Sequence, residues 1–178
     1  VREARRMLGE CLADLKREGH TVPETVPLGV MIEIPSAALV ADRLAAECDF
    51  LSVGTNDLIQ YALAVDRGNT YVDHLYRPHD PAVLSLIASA VNGADLAGKP
   101  VALCGEMGGT APYVPLLIGL GLRDLSVATS RLLSTKKAIR EADTGGAAAL
   151  AARALGSSAA SDVAALLGLP PRSRTRPS

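Results

Sequence analysis

Apolar and polar positions along the chain follow two rhythms. Over residues 2–19, apolar side chains recur at Met7, Leu8, Cys11, Leu12 and Leu15, the spacing of one helical face, and the pattern stops at Gly19. Residues 26–34, "VPLGVMIEI", form a β-branched apolar run broken by Glu33. An alanine-rich helical stretch over 36–47 follows, with Leu39, Val40 and Leu44 inside, and then a short buried strand over 50–53. Residues 58–64 predict a short helix, "DRGNTYVDHLYRPHDP" a long loop, and 81–96 another helix before Gly98. A third strand over 101–103 runs into "CGEMGG". A helix over 111–120, a fourth strand over 124–128 and a helix starting at 135 complete the series.

This order, one helix and then four strand–helix units, predicts an α/β fold. Short strands that are apolar on both faces and separated by helices indicate a parallel sheet with helical crossovers. In such sheets ligands sit at the carboxyl ends of the strands, whether the sheet is open or closed into a barrel. Three of the four strands end in chemistry: Glu33, then Asn56-Asp57, then Cys104-Gly105-Glu106. Past Gly145 the composition shifts to Ala, Gly and Ser. The predicted organisation is therefore a main domain over 1–142, an Ala-rich helical segment over 143–169, and a disordered basic tail over 170–178, "PPRSRTRPS" at its end.

Composition narrows the class. With 48% hydrophobic and 21% charged residues the chain is a folded globular protein, and its net charge of −1 provides no basic excess for nucleic acid or an anionic membrane. Three cysteines without a CxxC pair suit a reducing cytoplasm. The longest apolar run, 114–122, contains Pro115, Gly119 and Gly121 and is too short to span a bilayer. No signal peptide is visible, position 1 is not Met, and the chain opens inside a helical pattern, so a fragment of a longer protein is expected.

Adjacent parallel strands lie about 4.8 Å apart. A magnesium ion binds oxygen at about 2.0–2.1 Å, which puts two ligands on opposite sides about 4.2 Å apart. Glu33 and Asp57, on successive strand ends, suit one small hard cation that keeps open positions for a substrate phosphate or carboxylate. The alternative is that Glu33 caps a helix near Pro35-Ser36 and Asp57 caps one starting at Leu58. Cys104 is either a small buried hydrophobe or, with glycines behind it, a ligand-facing thiol. An ordinary thiol is mostly protonated at neutral pH, and no His stands nearby in sequence, so the chemical role open to it is proton donation. Arg67, next to Gly68, is either a solvated arginine or a phosphate clamp. His20, His74 and His79 form no ligand cluster in sequence.

At these residues the chain resembles a known family. "FLSVGTNDLIQYALAVDR" resembles a signature of the phosphoenolpyruvate-utilising enzymes, with "GVMIEIPSAA" and "ALCGEMGG" in the expected order on either side. The loop "VDRGNTYVDHLYRPHDPAVL" is closest to the enzyme I branch, the phosphoenolpyruvate–protein phosphotransferases of the bacterial sugar phosphotransferase system. The resemblance covers roughly residues 1–142 and implies the second half of a (β/α)8 TIM-type barrel. It implies Mg2+ on Glu33 and Asp57, phosphoenolpyruvate phosphate contacts from Asn56 and Arg67, and Cys104 as proton donor. It further implies phosphoryl transfer to a protein histidine, a histidine-containing phosphocarrier protein as partner through an absent amino-terminal domain, a homodimer, and a cytoplasmic location. No "TSHxA"-like acceptor motif is present, and the earlier barrel half with its two further arginines is missing, so the chain is expected to be inactive alone. Two smaller departures are Thr110, where the family usually has aspartate, and "SVATSRL" in place of "SMSATSI". Two rival readings are a Mg-dependent lyase or aldolase on a related barrel, such as the citrate lyase β-like group, and a non-catalytic truncated dimerisation module.

Overall fold

The computed structural model describes residues 1–170; the expected basic tail lies, from residue 171 on, outside them. Helix α1 (Arg2–Arg17) precedes strand β1 (Gly29–Ile32). No residue of α1 is fully buried. The helix is tied down by its arginines, Arg2 to the Glu47 carboxylate and Arg5 to Asp49 at 3.2 Å. Asp49 also accepts the Leu28 N–H at 2.8 Å, which aligns the start of β1 with β2 (Phe50–Gly54). Between these strands run α2 (Pro35–Leu39) and α3 (Ala41–Ala46). After β2 come α4 (Thr55–Leu63), α5 (Pro81–Leu96), β3 (Val101–Cys104), α6 (Val114–Gly119), β4 (Asp124–Leu125) and α7 (Leu132–Glu141). Helices α8 (Thr144–Leu155) and α9 (Ala160–Leu166) follow.

Among the described residues the four strands form one open sheet in the order β1-β2-β3-β4, every neighbour parallel, as the alternation of strands and helices implied. The register pairs Ile32 with Val53 and Gly54 with Cys104, so the chemistry-bearing strand ends stand side by side. The period-two alternation of the strands splits their side chains between two environments. Ile32, Leu51, Val53 and Leu103 are buried with Leu58, Leu84 and Ile87, each contributing about 1.5–3 kcal/mol of burial. Met31, Ser52, Ala102 and Cys104 point to the opposite face and are not buried. Among the described residues the sheet is therefore covered on one face only, and the other still carries the apolar Met31, Phe50 and Ala102.

Local boundaries differ from the expected ones for physical reasons. The helix expected over 36–47 breaks at Val40, whose backbone (φ −122°, ψ 26°) leaves the helical region. There α5 closes on the chain: a Cβ on Gly93 would lie 2.6 Å from the Asp42 nitrogen. The helix expected from Leu58 starts at Thr55, which places Asn56 and Asp57 inside its first turn. The helix expected over 111–120 opens as a 3-10 turn, Ala111–Tyr113, and β4 pairs only with β3 and is two residues long. The Ala-rich segment forms α8 and α9. Ala147, Ala151 and Ala154 recur at helical spacing and are buried, and Gly119 lets α6 approach so closely that a Cβ there would lie 2.0 Å from the Ala147 carbonyl oxygen. The Asp143 side chain caps α8 by accepting the Gly146 N–H at 2.6 Å.

Two glycine-to-alanine changes should therefore act in opposite directions. Gly93→Ala meets backbone that cannot rotate aside, and should lower the unfolding free energy by about 1–3 kcal/mol despite the better helix propensity. Gly9→Ala in α1, with nothing within 4 Å of the new Cβ, should raise it by up to about 1 kcal/mol. Urea unfolding of both variants checks the pair.

Candidate functional site

The junction of β2 with α4 is built around two glycines. Gly54 sits at the helix N-cap position, where a Cβ would press on Glu33 Cβ and Met31 Sδ at 3.0 Å and on Glu33 Oε2 at 3.1 Å. Glu33 thus reaches across Gly54 towards the turn that carries Asp57. Gly105, directly after β3, has φ +109°, and a Cβ there would lie 2.3 Å from Thr55 Oγ1. Its glycine identity is imposed twice, by the backbone and by space.

Two hydrogen bonds lock α4 to the end of β3. The buried Thr55 hydroxyl donates to the Cys104 carbonyl at 3.0 Å, and the Glu106 N–H donates to Asn56 Oδ1 at 3.0 Å. Because the Asn56 oxygen is occupied by that donor, its amide nitrogen is left to donate outward. The Tyr76 hydroxyl donates to the Asn56 carbonyl at 3.2 Å, fixing the long loop against the same turn.

Neither acidic residue is a helix cap. The N-cap of α2 is Ile34 and that of α4 is Gly54, neither making a side-chain cap bond, and Asp57 lies inside α4. Among the described residues, neither the Glu33 nor the Asp57 carboxylate has a hydrogen-bond or ion-pair partner, although both are half-buried. The two unpaired carboxylates, one just after β1 and one in the first turn of α4, offer oxygen donors of the kind Mg2+ takes. Among the described residues no three His, Cys, Asp or Glu side chains gather in one place, so only these two would come from the chain.

Cys104 is half-exposed and lies on the uncovered face of the sheet. The Ser52 hydroxyl is 3.6 Å from its sulfur, and the thiol is 3.7 Å from Sδ of Met31, the β1 residue paired with Ser52. Arg67 is exposed on the loop after α4, its backbone N–H 3.4 Å from Gln60 Oε1. Its guanidinium makes no hydrogen bond to Asn56, but it is near enough to act on the Tyr76 phenol. His79 is buried, with Nδ1 3.0 Å from the Tyr113 hydroxyl and the two rings stacked, away from these strand ends.

Sequence reasoning missed Thr55, Ser52 and Tyr76. Ser52 was accessible through strand periodicity, since it shares a face with Gly54 and β3 pairs Gly54 with Cys104. Tyr76, in an irregular loop, carried no such signal.

Residues 1–144 match the PEP-utilising enzyme, PEP-binding domain family. The chain is 43% identical over 166 residues to a phosphoenolpyruvate-protein phosphotransferase of Listeria monocytogenes, covering 93% of this chain and 29% of that protein. It is 44% identical to the Streptococcus equinus protein of the same name (86% of this chain, 27% of that protein). It is 47% identical to the one from Enterococcus faecalis (79% and 24%). The chain therefore spans between 24% and 29% of the length of these curated relatives.

Burial pushes the Tyr76 phenol above its usual value, Glu106 and Asp57 push the same way, and Arg67 opposes them. A phenol with a raised pKa in the folded state contributes stability that is complete below about pH 10 and is lost as pH rises through the folded value. Tyr76→Phe should therefore flatten the alkaline fall in stability, which urea unfolding at a series of alkaline pH values checks.

Proposed function

Since the chain belongs to the phosphoenolpyruvate-utilising enzymes through their PEP-binding domain, we propose that it supplies the substrate-binding and proton-donating half of a phosphoenolpyruvate–protein phosphotransferase. The observation that carries this reading is the placement, at the ends of the three adjacent strands β1, β2 and β3, of two unpaired carboxylates, an Asn56 amide held by the Glu106 N–H and a half-exposed thiol. Glu33 and Asp57 would hold Mg2+, which supplies charge neutralisation at the phosphate and the enolate.

The Asn56 amide and the Arg67 guanidinium bind and orient the phosphoryl group, a bidentate donor suiting its oxygens. Transfer breaks the phosphorus–oxygen bond to the enol and forms a phosphorus–nitrogen bond to a protein histidine. The enolate left behind takes the Cys104 Sγ proton at its methylene carbon, giving pyruvate and a thiolate. Ser52 orients that sulfur, since its hydroxyl can donate to the thiolate that results. The Met31 thioether lies against the same sulfur.

The acceptor histidine belongs to another part of the protein, and the onward partner is a histidine-containing phosphocarrier protein of the sugar phosphotransferase system. A homodimer formed through this domain and a cytoplasmic location complete the proposal. The three free cysteines suit a reducing compartment, and among the described residues no helix is long and apolar enough to cross a membrane.

Calorimetric titration with phosphoenolpyruvate and Mg2+ tests the reading. Binding should depend on the metal, and Glu33→Gln and Asp57→Asn should each weaken it about 10- to 100-fold. Cys104→Ala should retain binding while losing hydrogen exchange at the methyl group of pyruvate in the complete protein. Metal-independent binding would overturn the reading, and acyl-CoA cleavage in place of phosphotransfer would favour the Mg-dependent lyase reading instead.

A further inference from the structure

On the β3–β4 side of Asn56 the strand-end face sinks into an open depression of about 650 Å³. Its wall holds Asn56, Glu106, Thr110, Ser126, Ser130 and Arg131. We propose that this depression is a second, anion-binding site in which Arg131 supplies the charge and Ser126 and Ser130 supply hydroxyl donors to a phosphate or carboxylate group.

The arginine is prepared for that task. Its stem lies against Gly109, where an added Cβ would sit 3.2 Å from Arg131 Cβ and Cγ, so the glycine gives the side chain a flat bed. Its backbone N–H donates to the Ala128 carbonyl at 2.8 Å and its carbonyl accepts the Ser134 hydroxyl at 2.8 Å, holding the Cα in place. Its guanidinium has no hydrogen-bond or ion-pair partner among the described residues. Such a group offers paired donors to an oxyanion. The one acid on the wall, Glu106, makes no ion pair with it. That carboxylate acts on the Tyr76 phenol, which marks the Asn56 end of the depression as the acidic one. The Thr110 hydroxyl is already used, donating to the Glu106 carbonyl at 3.0 Å, so Thr110 shapes the wall without adding charge.

The depression shares Asn56 with the strand-end site, but Glu33, Asp57 and Arg67 do not line it, and Arg131 is its own cation. The test is a titration of the isotopically labelled chain with inorganic phosphate, and separately with acetate, at constant ionic strength, followed by amide resonances. Saturable shifts are expected at Gly105, Gly109, Ser126 and Ser130, and the preferred anion identifies the ligand group as phosphate or carboxylate. Arg131→Gln should weaken the binding about tenfold or more, and Arg131→Lys, which keeps the charge but loses the fork, should fall between. Asp57→Asn, which removes a proposed metal ligand, should leave these shifts in place. Absence of saturable shifts with both anions, or shifts that persist in Arg131→Gln and vanish in Arg67→Gln, would overturn the proposal without touching the phosphotransfer reading.

Discussion

The strand-end face depends on one short seam between α4 and β3, where the Thr55 hydroxyl meets the Cys104 carbonyl and the Glu106 N–H meets Asn56 Oδ1. Both bonds satisfy groups that leave regular structure at that point, and a polar group buried there without a partner would cost about 1–3 kcal/mol. The seam closes only because residue 105 has no side chain. It sets the orientation of Asn56, the height of Cys104 on its strand and the position of the loop that brings Tyr76 and Arg67 into the neighbourhood. Residues from two strands and a long loop are thereby referred to a single turn of helix.

The sheet has a second consequence. One face is buried under helices, and the other, carrying Met31, Ser52, Ala102 and Cys104, is open among the described residues. The split between buried aliphatic side chains on one face and uncovered ones on the other follows directly from strand alternation. The strand residue with chemical potential, Cys104, falls on the open side, where solvent or a ligand can reach it. For a chain spanning about a quarter of its relatives' length, this face and the unpaired outer edges of β1 and β4 are where structure from the remainder of a barrel would complete the arrangement.

Helix α8, which begins at the last matched residue, Thr144, and helix α9 after it pack closely on the rest. The approach of α8 to α6 uses a glycine and a row of alanines, the residue types that let two helix backbones come near. The sequence reads this end as an Ala-rich helical segment, and it forms two helices. The packing shows that the same small residues are what an intimate helix contact requires.

The order of strands and helices, their parallel pairing, and Glu33, Asn56, Asp57 and Cys104 as strand-end residues were all legible in the sequence, because alternation and helical spacing are properties of neighbours in the chain. Which residues touch was not. The break at Val40 comes from Gly93, the start of α4 at Thr55 from a bond to β3, and the pairing of Ser52 with Cys104 from a register. The depression around Arg131 joins segments from α4, the loop after β3 and the loop after β4. Such contacts depend on the distance between segments remote in the chain, and local pattern carries no record of that distance until the chain has folded.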